Sequence, residues 1–157
     1  DRIMLGSQIL RIKGSTLYTA TPDMPVAHAV HAMAEQDIGS LVVMEKGKLA
    51  GMLTFRELIK VLDERADELK SMTVGEIMER DPLTADPHMD IQELRKSMLD
   101  RHARYIPVME AGTLMGVLSF HDVAKAVYEE QSFENRMLKN YIKNWPDEEE
   151  TAAHAGK

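Results

Sequence analysis

Gly116-Val117-Leu118-Ser119-Phe120-His121-Asp122 reads as a short buried strand that turns directly into a helix, with a hydroxyl at the turn and a carboxylate three residues on. Gly51-Met52-Leu53-Thr54-Phe55-Arg56-Glu57 writes the same unit 65 residues earlier, with the same glycine, leucine and phenylalanine, a like hydroxyl and a like acid. At that offset and without a gap, Thr19-Ala20 matches Thr84-Ala85, Pro22 matches Pro87, and Met24 matches Met89. Met33 pairs with Met98, Val43-Met44-Glu45 with Val108-Met109-Glu110, Gly47 with Gly112, Leu49 with Leu114, and Lys60 with Lys125. A repeat this long is a supersecondary unit that cannot bury its apolar face alone and packs against its copy.

Outward from the motif, each unit reads as strand, helix, strand, strand, helix. Tyr18-Thr19-Ala20 is a brief extended piece, and Val26, Ala29, Val30 and Met33 fall on one helical face. Leu41 to Met44 and Leu49 to Leu53 are buried runs joined by the turn Glu45-Lys46-Gly47-Lys48, which makes a hairpin. The next helix presents Phe55, Leu58, Ile59, Leu62 and Ala66. Thr73 to Met78 is expected as a short helix feeding the second unit. There the order recurs with Leu83-Thr84-Ala85, a helix on Ile91, Leu94 and Met98, strands from Tyr105 to Met109 and Leu114 to Leu118, and a helix on Phe120, Val123, Ala124 and Val127. Ile9 to Lys13 is expected as a short edge strand before the first unit. Phe133, Met137, Leu138, Tyr141, Ile142 and Trp145 lie along one side of a further helix, a face that wants a partner, with a second subunit preferred over the chain's own core. The expected boundaries are a first repeat over 9–68, a second over 73–128, a C-terminal amphipathic helix over 129–146, and a disordered tail over 147–157.

The composition narrows the function. At 157 residues and 44% hydrophobic content the chain can bury a core. A formal charge of −7 argues against a nucleic-acid partner, whose phosphates call for clustered Lys and Arg. Without cysteine there is no disulfide framework or thiolate nucleophile, which fits a reducing compartment, with cytoplasm the default. No apolar run approaches the roughly 18 residues that span a bilayer. Asp1-Arg2-Ile3-Met4 resembles no signal peptide, and the lack of an initiator Met leaves room for an upstream segment.

Together these features resemble a tandem pair of cystathionine-β-synthase (CBS) domains, a Bateman module, over Ile9 to Tyr128. The carrying motifs are Thr73 to Met78, Arg104-Tyr105-Ile106-Pro107-Val108 opening a strand, and the two glycine-to-acid stretches; the tail from Phe133 to Ile142 is similar to that of stand-alone CBS-pair proteins. The resemblance implies an α/β (α+β) fold in which two β-α-β-β-α repeats pack about a pseudo-twofold axis. It further implies two clefts that bind adenosine nucleotides, dimerisation into a flat disc, and a role in sensing without catalysis.

Two readings compete at the motifs. A hydroxyl followed by an acid three residues later is a capping box, satisfying orphan N–H groups at a helix start, and that reading is the stronger one for Thr54 and Glu57 taken alone. A nucleotide site uses the same helix end to attract a phosphate, while the acid accepts from ribose hydroxyls. By resemblance the ribose role carries onto Asp122 directly and onto Glu57 across an extra methylene, so the second-repeat site is expected to be the stronger. Arg56, His121 and Arg104 are the candidate phosphate partners, in competition with plain surface charge. The resemblance places adenine near Thr19, Ile38 and Gly39 in one repeat and Thr84, Tyr105 and Pro107 in the other, with Gly39 permitting close backbone approach.

Catalytic and metal signatures are missing. His28 and His31 share a helix without a carboxylate or thiol at metal spacing, and there is no H-E-x-x-H, G-x-S-x-G or P-loop. The expectation is a non-catalytic adenosine-nucleotide sensor, with AMP the first choice of ligand and ATP or NADH as alternatives, no metal and no membrane. The alternative is a dimerisation scaffold with vestigial clefts. The regulated protein partner is not visible in the sequence.

Overall fold

The computed structural model describes Leu5, Gly6, Gln8 and residues 17–144. The edge strand expected at 9–13, Trp145, and the tail at 147–157 lie outside the described residues. The first repeat comprises β1 (Thr19–Ala20), α1 (Val26–Gln36), β2 (Ser40–Glu45), β3 (Lys48–Thr54) and α2 (Phe55–Arg65). A 3₁₀ turn (Ala66–Ser71) and α3 (Val74–Ile77) connect it to α4 (Ile91–Asp100), β4 (Tyr105–Glu110), β5 (Thr113–Ser119) and α5 (Phe120–Asn144).

The duplication extends to backbone detail. Both hairpins turn on two residues with positive φ, Lys46 (52°) and Gly47 (77°) in the first and Ala111 (50°) and Gly112 (81°) in the second. That is the type I′ geometry whose twist matches the flanking strands. Asp37 and His102, 65 residues apart, are both left-handed at φ 53° and 52°. The strand register breaks between Val43 and Met44 in one repeat and between Val108 and Met109 in the other. The first strand is where the copies part: β1 runs parallel to β2, pairing Thr19 with Val42 and Ala20 with Val43. Of the strand expected at Leu83 to Ala85, only a single parallel bridge from Ala85 to Val108 forms. The Asp86 side chain accepts from the His88 N–H at 2.8 Å, which closes a turn at Pro87 directly after the bridge.

Each repeat has its own core. Ile91, Leu94 and Met98 of α4 pack with Ile106, Val108, Leu118, Val123 and Val127, the helical spacing anticipated from the sequence. Val26, Ala29 and Met33 of α1 are buried in the first repeat, whereas Val30, expected on the same face, is exposed. On α2 the inward residues are Val61 and the partly buried Leu58, while Phe55, Ile59 and Leu62 are each more than half exposed. The expected apolar face of α2 is therefore turned outward, because the helix rests on the connector through Leu58 and Val61.

The connector itself belongs to the first repeat. Val74 and Met78 sit in the core with Ala20, Met33 and Leu53. Val74 N–H donates to Met24 O at 2.8 Å, and Gly75 N–H to Pro22 O at 2.8 Å. Met52 and Glu79 then exchange backbone bonds of 3.0 and 2.8 Å, which lays the connector along β3. This explains the motif glycine in the first repeat: a Cβ on Gly51 would fall 2.5 Å from Glu79 O and 2.8 Å from Met78 Sδ.

α5 continues without a break from the helix of the second repeat into the helix expected at 129–146. Val123, Ala126 and Val127 are buried, whereas Tyr128, Met137, Leu138, Tyr141 and Ile142 are exposed.

Gly51→Ala should lower stability by about 1–3 kcal/mol, because the methyl meets a backbone carbonyl that is itself hydrogen-bonded. Thermal unfolding checks this, and an unchanged melting temperature would mean that β3 and the connector separate freely.

Candidate functional site

At both motifs the last strand residue is also the helix N-cap, with no loop between them. Thr54 N–H and Thr54 Oγ1–H both donate to Glu57 Oε1, at 2.7 and 2.8 Å, and the Thr54 hydroxyl accepts from Arg56 N–H at 3.2 Å. Ser119 N–H donates to Asp122 Oδ2 at 2.9 Å, and Asp122 N–H donates to Ser119 Oγ at 3.0 Å. Both motifs are reciprocal capping boxes. The extra methylene of Glu57 carries its carboxylate far enough to accept from the Thr54 hydroxyl as well, and both of these bonds fall on Oε1.

The start of α2 faces the loop that opens β4 in the other repeat. Thr54, Arg56 and Glu57 share one cleft with Glu79, Pro82, Leu83, Arg101, Ala103, Arg104 and Tyr105. One Arg56 guanidinium N–H donates to the carbonyl of His102, a direct bond between the repeats. The carboxyl of Glu57 is pushed above the ordinary glutamate value, chiefly by burial; its bonds from Thr54 oppose this, Glu79 adds to it, and Arg56 offsets part of it.

The predicted site residues separate into two groups. The cleft brings together Thr54, Arg56, Glu57, Arg104 and Tyr105. Its lining excludes Ser119, His121, Asp122, Thr19, Ile38, Gly39, Thr84 and Pro107. Arg104 thus stands beside the first-repeat motif, because the helix start of one repeat meets the strand opening of the other. Ile38 packs against the first core and Pro107 is buried within β4, while Thr19, Thr84 and His121 are exposed.

Gly39 permits close approach, but of a side chain. A Cβ there would lie 1.9 Å from Tyr105 Oη and 3.0 Å from Phe55 Cε2, so the Tyr105 phenol lies across the glycine backbone and holds one wall of the cleft. Sequence reasoning missed Arg101, Glu79, Pro82, Leu83 and Ala103. Arg101 was the one with a signal, a second guanidinium three residues before Arg104 at a helix end.

Among the described residues, no group of three or more His, Cys, Asp or Glu is placed to hold a metal ion. His31 instead faces Glu35 at 3.3 Å on the surface. No helix of the described residues is long and apolar enough to cross a membrane.

The family model for the CBS domain matches residues 12–64 and again 74–129. The chain belongs to the CBS domain family. It is 34% identical over 134 residues to the CBS domain-containing protein CBSX3, mitochondrial, of Arabidopsis thaliana, a match covering 82% of this chain and 65% of that protein. Among solved structures, the CBS-domain containing protein ATU1752 from Agrobacterium tumefaciens superposes with a TM-score of 0.74 at 27% identity, over 78% of this chain and 98% of that one. CBSX2, solved in complex with AMP, shares the fold at a TM-score of 0.64 and 23% identity, over 74% of this chain and 90% of that one. The CBS pair is thus an α+β unit of two repeats, as the sequence implied.

The raised Glu57 carboxyl makes a pH prediction. A folded-state value above the unfolded one means that the native state holds the extra proton, so this stabilising contribution is full below the unfolded value of about 4.3. It is lost as pH climbs through the raised folded value. Glu57→Gln should gain stability relative to the natural chain over that window and hold a constant difference above it. Denaturant midpoints measured from acid to neutral pH check this, and parallel curves would refute it.

Proposed function

We propose that this CBS pair is a regulatory module that binds an adenosine nucleotide in the cleft between Thr54 to Glu57 of one repeat and Arg104 to Tyr105 of the other. The observation that carries the reading is the meeting, in one cleft, of a helix N-terminus and an arginine from the opposite repeat. The helix start and Arg104 attract phosphate, and Glu57 accepts from ribose hydroxyls through Oε2, the oxygen that its cap does not use. The AMP bound by CBSX2 supports an adenosine ligand, with AMP, ATP and NADH as the candidates. Ser119, His121 and Asp122, with Thr19, Ile38 and Gly39, form the second position, and Thr84 and Pro107 flank the first. A ligand held by both repeats shifts their packing by its differential affinity for the two arrangements. That change is read by a protein partner and catalyses nothing. The lack of cysteine suits a reducing compartment such as the cytoplasm.

We further propose a homodimer, supported by the exposed apolar residues of α2 and α5. Beyond Tyr128, α5 carries Glu129, Glu130 and Glu134 in its first half and Arg136, Lys139 and Lys143 in its second. Antiparallel pairing with a second copy sets each acidic half over a basic half, around Met137, Leu138 and Ile142.

Thermal unfolding with millimolar AMP, ATP or NADH tests the nucleotide reading. A dissociation constant near ~10 μM adds about 2.7 kcal/mol at hundredfold excess, a shift of several degrees. Arg104→Ala and Glu57→Ala should abolish the shift. No shift with any ligand leaves the dimerisation scaffold as the better reading.

Light scattering tests the dimer. The Met137→Glu, Leu138→Glu double variant should be monomeric yet still respond to nucleotide. A natural chain that is monomeric at micromolar concentration refutes the dimer.

A further inference from the structure

Three guanidinium groups, Arg56, Arg101 and Arg104, line the cleft at Thr54 to Glu57, in a chain whose net charge is −7. Arg56 is engaged by the His102 carbonyl. Arg101 and Arg104 make no side-chain hydrogen bond or ion pair among the described residues, so two like charges stand at one cleft with their donors unpaired there. The 65-residue repeat supplies an internal comparison, because the positions corresponding to Arg56, Arg101 and Arg104 are His121, Gln36 and Gly39. None of those is a permanent cation, and the Gln36 carbonyl accepts from the Tyr18 hydroxyl at 2.6 Å. The two copies share their apolar skeleton and differ at these cationic positions.

From this contrast we infer that the first cleft selects the polyphosphate tail of its nucleotide, ADP or ATP over AMP or adenosine, through Arg101 and Arg104. The inference rests on the nucleotide reading above and refines its ligand class. Glu57 and Glu79 in the same cleft set the limits of the charge pattern. Both acids lie against the motif and the connector, where a ribose binds, while the free guanidiniums lie on the α4–β4 loop, where a tail of several phosphates extends toward solvent. Each added phosphate brings further anionic oxygens within reach of a forked donor, and the contact is screened by salt because the arginines are exposed.

Calorimetric titration of the full chain, in buffer with EDTA, should use adenosine, AMP, ADP, ATP and inorganic triphosphate as probes. Affinity should rise along the nucleotide series. Arg101→Gln should weaken ATP about tenfold and leave adenosine unchanged, and added potassium chloride should weaken ATP more steeply than AMP. Arg101 is exposed and makes no side-chain bond among the described residues, so the variant folds. Equal affinities for AMP and ATP, or an Arg101→Gln loss shared by adenosine, would overturn the charge selection while leaving the nucleotide reading intact. Binding of inorganic triphosphate alone, lost in Arg101→Gln, would uphold the polyphosphate cleft and overturn the nucleotide reading. Binding of none of the five probes would overturn both.

Discussion

The passage from strand to helix without a loop, at Thr54 and again at Ser119, is the constraint on which the rest of the molecule depends. When the last strand residue is also the N-cap, the sheet dictates where the helix points, and the capping bonds hold that angle. In the first repeat this aims the start of α2 at the loop before β4, so the cleft is a consequence of the junction. The same bonds satisfy the helix and shape the site, and the capping and binding readings of the motif are therefore compatible. A carboxylate whose Oε1 closes the cap still offers its other oxygen to the cleft.

Much of this was legible in the sequence because the signal was written twice. Two hairpins of buried strands flanking Lys46-Gly47 and Ala111-Gly112, and the i, i+3, i+7 spacing of Ile91, Leu94 and Met98, read directly as structure. The orientation of α2 did not. Phe55, Leu58, Ile59, Val61 and Leu62 spread apolar character around most of the helix, and periodicity alone cannot choose between two faces that are both apolar. Nor could spacing assign the connector. α3 has only four residues, too few to carry a period, and its attachment to the first repeat rests on backbone bonds to Pro22, Met24 and Met52. Tyr105 could be placed at the site by resemblance, but its seat on Gly39 is a contact between residues 66 positions apart that no local pattern encodes.

The copies have diverged in an ordered way. Positions that build the bulges, the left-handed turns and the cores have kept their backbone geometry, while charged positions at the cleft mouths have changed. Packing tolerates few departures, because a core at crystalline density registers a single methylene. Loop side chains at a cleft face no such restraint, and Arg101 and Arg104 stand where the first copy has Gln36 and Gly39.

α5 is rooted in the second core by Val123, Ala126 and Val127, and residues 129–144 continue it as one rod of roughly 24 Å at 1.5 Å per residue. An unbroken helix moves as one body with the core at its root. A tilt of a few degrees in the second repeat carries through the helix and displaces its far end by about one to two ångströms. The helix thereby turns a small rotation at its root into a displacement large enough to make or break a contact at its tip.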